Sequence, residues 1–166
     1  MDMSPRDSTG RAARIQEILA SVRPLAAEYY RLTGKPLGVT GEVAEQYAAE
    51  YLGLTLADAR TAGYDAIRHS PVGSEFIQIK GRAFGDEANV AQRLGAMRSA
   101  ASCDKVVVVL LSNQTLEPRE MWEAPIGAVA GRLAEPGSKV RNERGALSIG
   151  DFKRLPGVCK VWPPQS

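Results

Sequence analysis

The sequence predicts an α/β domain whose mixed sheet contains an antiparallel hairpin and is flanked by helices. Apolar residues spaced by three and four recur through the first third of the chain, which is typical of amphipathic helices. The segments 63–68 and 75–84 have strand character on either side of a Ser-Pro-Val-Gly-Ser loop, which predicts the hairpin. The run KVVVVLL at residues 105–111 has the unbroken apolarity of a buried strand. The order helix, helix, hairpin, strand and helix predicts an α/β sandwich.

Size and charge indicate one ordinary globular domain. The chain has 166 residues, which is long enough for one hydrophobic core. Its formal net charge of +2 is nearly balanced, so the overall charge does not indicate a nucleic-acid partner. We expect residues 1–10 to form a flexible N-terminus and residues 11–162 to form a single domain. Residues 139–160 contain two acidic side chains and six basic ones, which are Lys139, Arg141, Arg144, Lys153, Arg154 and Lys160. This excess of positive charge indicates either a solvated basic face or a phosphate-binding face.

Several classes of protein are disfavoured by the composition. The first residues lack an apolar signal core, and the longest apolar run, residues 106–111, is too short to span a bilayer. We therefore expect a soluble, cytoplasmic protein with no membrane partner. Cys103 and Cys159 have no C-x-x-C neighbour, which favours reduced, buried thiols. The single histidine, His69, argues against a histidine-rich zinc site.

The first helix carries an apolar stripe with regular spacing. The stripe consists of Ile15, Ile18, Val22, Leu25, Tyr29 and Leu32. Pro24 lies inside this pattern, which predicts a kink or two consecutive helices. The stripe favours docking on the core of its own domain, with the seam of a homodimer as the alternative.

A second helix is expected over residues 40–52. Thr40 is its expected N-cap and Gly53 its stop. Residues 56–63 are expected to form a short helix or turn, and residues 87–100 a helix or an irregular crossover.

The region after the buried strand has weaker signals. The segment MWEAPIGAVAGRLA predicts a helix after Pro125. Glu117, Glu120 and Glu123 are spaced by three, which would place them on one solvated face if the helix began earlier. The remainder, from Gly137, is loop-rich with one last short element expected.

Polar side chains are expected to converge on one face of the hairpin. The even-numbered side chains of its second strand share that face: Phe76, Gln78, Lys80 and Arg82. Asp65 precedes Lys80 by fifteen residues. If the hairpin pairs in register, the two strands lie about 5 Å apart, and Asp65 lies beside Gln78 and Lys80. A carboxylate and an ammonium group in one small volume can hold a divalent ion and an attacking water. The alternative is a cross-strand salt bridge on a solvated face.

A second acidic ligand can come from the second helix. At 100° per residue, Glu45 lies at the edge of the apolar stripe, whereas Glu42 points further toward solvent. Glu45 is therefore the better placed of the two. The alternative is that both carboxylates simply interact with the exposed N–H groups of the first helical turn.

These motifs in this order resemble the PD-(D/E)XK nuclease superfamily, which has the restriction-endonuclease-like fold. The resemblance covers roughly residues 38–115 and rests on Gly41-Glu42-Val43-Ala44-Glu45, Gly63-Tyr64-Asp65 and Gln78-Ile79-Lys80. In that superfamily a helix supplies a glutamate, one strand an aspartate and the next strand a (D/E)-x-K pair. Gln78 departs from this pattern, because an amide replaces the acidic residue, as in Mrr-type restriction enzymes.

The resemblance implies a nuclease that uses Mg²⁺ (or Mn²⁺) to cleave nucleic acid, expected to be DNA. Its site residues would be Asp65, Gln78, Lys80 and Glu45, with Glu42 as the other candidate glutamate. Asp65, Glu45 and Gln78 would bind the metal, and Lys80 would act on the attacking water. The alternative is a module of a defence or repair system that keeps the fold and has lost cleavage. We identify no helix-turn-helix, zinc finger or long basic helix in the sequence.

Overall fold

A six-stranded mixed sheet organises the protein. The computed structural model describes residues 6–58, 61–85, 91–97, 102–137 and 143–164. The strands lie in chain order and are β1 (Thr55–Leu56), β2 (Ala66–Ser70), β3 (Gly73–Phe84), β4 (Lys105–Ser112), β5 (Pro118–Pro125) and β6 (Cys159–Trp162). β3 and β4 are parallel, and the other neighbouring pairs are antiparallel. The predicted α/β class, with a mixed sheet and an antiparallel hairpin, is confirmed.

Helices and connecting segments cover both faces of this sheet. The helices whose bounds the structure describes are α1 (Arg6–Thr33), α2 (Thr40–Leu52), α3 (Ile126–Ala134) and α4 (Ile149–Phe152). Because side chains alternate along a strand, β4 contributes to two separate cores. Val107 and Val109 pack in the core on the α2 face, whereas Val106 and Val108 pack in the core on the opposite face. None of the described helices is long and apolar enough to cross a membrane.

The first helix differs from expectation in three ways. α1 is one continuous helix with Pro24 inside it, so the proline neither ends nor divides it. Residues 6–10, which were expected to belong to a flexible N-terminus, lie in this helix, and residues 1–5 are outside the described part. The predicted stripe does not dock on the core, because five of its side chains are 39–78 % exposed: Ile15, Ile18, Leu25, Tyr29 and Leu32. The helix docks through Ala26, which is buried, and through a hydrogen bond from Arg23 to the Tyr47 hydroxyl.

The second helix has the predicted bounds but a different start. α2 spans Thr40–Leu52, and its N-cap is Val39, with no side chain capping the first N–H groups. Thr40 is therefore inside the helix and is not its cap. Gly53 ends the helix as predicted, with φ 63° and its N–H bonded to the Ala49 carbonyl. A left-handed residue at this position favours glycine, which has no Cβ to strain.

The acidic residues after β4 lie on a strand and not on a helix. β5 includes Glu120 and Glu123, so alternation sends them to opposite faces of the sheet, and the expected common helical face is wrong. Glu123 is 5 % exposed and accepts from Arg68 at 2.6 Å and from Lys105 at 2.9 Å. Burial raises the pKa of Glu123, but the hydrogen bonds from these two cations outweigh it and hold the pKa below its usual range. The Glu123 carboxylate is therefore paired with two basic side chains and is not solvated.

Outcomes are mixed for the remaining expectations. The helix after Pro125 is confirmed as α3, which begins at Ile126. Residues 91–97 form no helix, and the rest of the expected crossover is largely outside the described residues. Cys103 is buried as expected, whereas Cys159 is exposed. In the basic tail, Lys153 and Lys160 pair with Glu120, while Lys139 and Arg141 lie outside the described residues.

Replacing Asp151 with asparagine is expected to lower stability at neutral pH but not at strongly acidic pH. Asp151 accepts from Arg132 at 2.8 Å and from the Ser148 hydroxyl at 2.8 Å. The hydrogen bond from Arg132 is the main cause that lowers the Asp151 pKa from 3.8 to about 2. A carboxyl whose pKa falls on folding stabilises the native state above its unfolded pKa, and this stability is lost as the pH falls through the folded pKa.

Urea unfolding of Asp151→Asn and of the unchanged protein between pH 7 and pH 2 measures this difference. We expect a loss of about 1 kcal/mol at pH 7, allowing for solvent screening, that shrinks below about pH 4. A difference that stays constant down to pH 2 would contradict the pairing. Asp58→Asn, at an exposed position, is the matched control.

Candidate functional site

The hairpin places Asp65 where β2 separates from β3. The register pairs Ala66 with Ile77, so Asp65 lies opposite Gln78, one residue before β2 begins. The Asp65 N–H still donates to the Ile77 carbonyl at 2.8 Å, and the Asp65 carboxylate accepts the N–H of Ile79 at 2.7 Å. The carboxylate therefore takes the place of the next ladder partner of β3. This hydrogen bond holds Asp65 against the edge of β3 in a defined position.

Glycine at position 81 allows α2 to approach the same part of β3. A Cβ added to Gly81 would lie 2.6 Å from the Ala44 Cβ and 2.7 Å from the Thr40 carbonyl oxygen. No other residue type fits without displacing the first turns of α2. Glu45 follows Ala44 directly, so this close contact sets the height of Glu45 above the sheet edge.

Glu45 lies in the electrostatic field of the hairpin residues. Burial raises the pKa of the Glu45 carboxyl, the carboxylates of Asp65 and Glu42 raise it further, and the Lys80 ammonium lowers it, so that the net pKa is above its usual range. Glu45 is half-buried, whereas Glu42 is exposed. Glu45 therefore lies within electrostatic range of Asp65 and Lys80.

Gln78 and Lys80 lie on the sheet face opposite α2. Ile77 and Ile79 pack in the core with α2, so the even-numbered side chains of β3 point the other way. The Gln78 Oε1 atom is buried and has no hydrogen-bond partner. Lys80 forms no salt bridge with Asp65, whose carboxylate bonds to the backbone instead. The alternative of a simple cross-strand salt bridge is therefore wrong.

The donor atoms present suit a hard divalent cation. Asp65 and Glu45 offer carboxylate oxygens, and Gln78 offers an amide oxygen that lacks a partner. Mg²⁺ and Mn²⁺ prefer oxygen ligands and often use only one or two carboxylates together with substrate phosphate. Within the described ranges, no group of three or more His, Cys, Asp or Glu side chains is placed to hold a metal ion. Asp65, Glu45 and Gln78 are thus candidate oxygen donors and do not form a complete set of metal ligands.

Two residues beside the site carried no functional signal in the sequence. The Cys103 thiol is buried near Asp65 and Lys80, and burial, followed by the Asp104 and Asp65 carboxylates, raises its pKa. The raised pKa favours the protonated thiol at neutral pH. Gly81 could have been noticed as a glycine inside a strand, which often marks a close backbone approach.

Neither a protein-family model nor a curated protein matches this chain. The class that the structure defines is an α/β protein with a six-stranded mixed open sheet packed against helices. Because one fold hosts many activities, function has to be argued from the site residues.

Proposed function

We propose that this chain is a metal-dependent phosphodiesterase, a nuclease of the restriction-endonuclease-like fold, with DNA as the expected substrate. The observation that carries the proposal is the buried Oε1 of Gln78, which has no hydrogen-bond partner among the described residues. Gln78 lies on β3 opposite Asp65, whose carboxylate is fixed on the sheet edge, and two residues before Lys80, whose side chain forms no salt bridge with a described residue. A buried polar atom without a partner costs free energy and persists where a ligand supplies the missing contact. The resemblance to the PD-(D/E)XK pattern supports the same assignment.

Each residue has a distinct role in this proposal. Asp65, Glu45 and Gln78 would hold Mg²⁺ through their side-chain oxygens. A bound divalent ion stabilises negative charge on a phosphate and lowers the pKa of a coordinated water. Lys80 would orient the attacking water and donate a hydrogen bond to it, because its ammonium forms no salt bridge with any described residue. The hydrogen bond from the Ile79 N–H keeps Asp65 oriented before any ligand arrives.

A second candidate function is a nucleic-acid-binding module without cleavage. Gln78 supports it, because an amide brings no charge and only two carboxylates remain for a cation. Metal affinity would then be low, and the same surface would bind the phosphate backbone without hydrolysis. Cleavage assays separate the two functions.

The test is cleavage of supercoiled plasmid by the purified protein with Mg²⁺ or Mn²⁺, and with a chelator. We expect metal-dependent nicking by the unchanged protein and by Glu42→Gln, and none by Glu45→Gln. The two variants remove the same charge from the same helix at positions three residues apart. Equal activity of all three proteins, or activity that survives the chelator, would contradict the assignment.

Glu45→Gln is also expected to stabilise the metal-free protein. The raised pKa means that ionised Glu45 disfavours the folded state at neutral pH, because it is partly buried beside Asp65 and Glu42. Neutralising it should raise the melting temperature by about 1–3 °C, which for a domain of this length is under about 1 kcal/mol. The same variant should lose the rise in melting temperature that Mn²⁺ gives the unchanged protein. A drop in metal-free stability would show that Glu45 is a structural residue.

A further inference from the structure

Among the described basic side chains that are half-buried, two lack a partner. Half-buried lysine and arginine side chains normally have a counterion or a hydrogen-bond acceptor, because an unpaired charge is costly to desolvate. Six of these residues are paired with a carboxylate or with a tyrosine hydroxyl, and they are Arg23, Arg68, Lys105, Arg132, Lys153 and Lys160. Arg93 and Arg119 donate to backbone carbonyls. Lys80 and Arg82 are also half-buried, and within the described residues neither forms a hydrogen bond or a salt bridge.

The two exceptions are next to each other on one face of β3. Lys80 and Arg82 are two residues apart, so their Cα atoms lie about 6.6 Å apart and their side chains point to the same side. The Nε of Arg82 is buried without a partner, as is the Oε1 of Gln78 on the same face. The Lys80 stem lies beside Gly95, since a Cβ added to Gly95 would be 3.9 Å from the Lys80 Cδ, an ordinary contact distance.

We propose that Arg82 is a phosphate-binding residue that, beside Lys80, contacts a backbone phosphodiester of the nucleic acid. The proposal extends the proposed function, from which it takes the substrate class. A guanidinium group matches phosphate oxygens with two parallel N–H donors, and a phosphate would supply the counterion that Arg82 does not find among the described residues. Arg82 contributes to affinity, whereas Lys80 acts on the water.

Binding of a fluorescein-labelled 20-base-pair duplex in the presence of a chelator tests this without turnover. We expect Arg82→Gln to raise the Kd about tenfold, as for loss of one charge-assisted contact. The slope of log Kd against log salt should fall by about one. Arg11→Gln removes the same charge from an exposed position of α1 and should change neither quantity appreciably. Circular dichroism melts check that each variant is folded. Arg82→Lys is a second variant, whose Kd should lie between those of the unchanged protein and Arg82→Gln.

Three competitors distinguish the sources of the anion. An unlabelled duplex should displace the probe at low concentration, whereas inorganic phosphate and polyglutamate should displace it only through their ionic strength. Equal Kd values for Arg82→Gln and Arg11→Gln, or equal competition by polyglutamate and duplex, would overturn the proposal. Absence of duplex binding by the unchanged protein would also overturn it. Binding that depends on Arg82 without any cleavage would refute the nuclease and leave the phosphate site standing.

Discussion

Lys80→Met is expected to reduce plasmid cleavage by at least about 100-fold while leaving duplex affinity within a few-fold of the unchanged protein. Proton transfer and orientation of water by a positioned side chain typically contribute 10²- to 10⁴-fold to the rate. Methionine keeps the length of the lysine stem but cannot donate to a water. Interactions that matter in the transition state alter the rate more than they alter binding.

Single-turnover cleavage and duplex binding in a chelator measure the two quantities separately. Arg82→Gln is the matched comparison, because it removes a neighbouring charge on the same face of β3 and should weaken binding more than it slows the bound complex. Lys80→Met and Arg82→Gln should therefore have opposite profiles. A Lys80→Met protein that cleaves at the normal rate would remove Lys80 from the site.

Gly81→Ala is expected to destabilise the fold by about 2–3 kcal/mol, which lowers the melting temperature by roughly 4–10 °C for a domain of this length. The added Cβ would meet the Ala44 Cβ at 2.6 Å and the Thr40 carbonyl oxygen at 2.7 Å. One of these contacts is with backbone, so α2 as a whole must move away from β3. Glu45 moves with it, and we expect cleavage to fall more than the loss of folded protein explains.

Gly85→Ala is the control for this substitution. Its Cβ would meet only the Asn113 amide nitrogen, at an ordinary 3.6 Å, at the end of the same strand. Thermal melts of both variants compare the two sites directly. Equal stability of Gly81→Ala and Gly85→Ala would mean that α2 adjusts freely, and that its contact with β3 does not position Glu45.

Local patterns predicted the elements nearest the site, but they did not predict β5 or the exposure of the apolar stripe of α1. α2 and the β2–β3 hairpin were predicted correctly because their apolar spacing and their turn are properties of neighbouring residues. β5 was missed because its glutamates are also spaced for a helix. Their partners, Arg68 and Lys105, come from distant strands, so the sequence alone does not show the pairing. The exposed stripe of α1 was misjudged because periodicity indicates an apolar face but not what covers it.

Some features of the candidate site could likewise be predicted from the sequence, and others depend on the assembled sheet. Strand alternation was enough to place Gln78 and Lys80 on one face, and helical phase was enough to favour Glu45 over Glu42. The backbone contact of Asp65 depends on where β2 separates from β3, which is a property of the assembled sheet. That Arg82 has no counterion among the described residues is likewise visible only in the folded structure, where the partners of the other basic residues are known.

The attachment of α1 has a consequence for local opening of the molecule. A helix of 28 residues extends about 42 Å, yet among its described side chains, residues 10–33, only Ala26 is buried. Pro24 also lacks the amide hydrogen that a helical residue donates to the preceding turn. Local unfolding costs only the contacts that it breaks, so α1 should detach while the sheet remains folded. Its amide protons should then exchange with solvent faster than those of β4, and the geometry around Asp65 should persist in the partly opened protein.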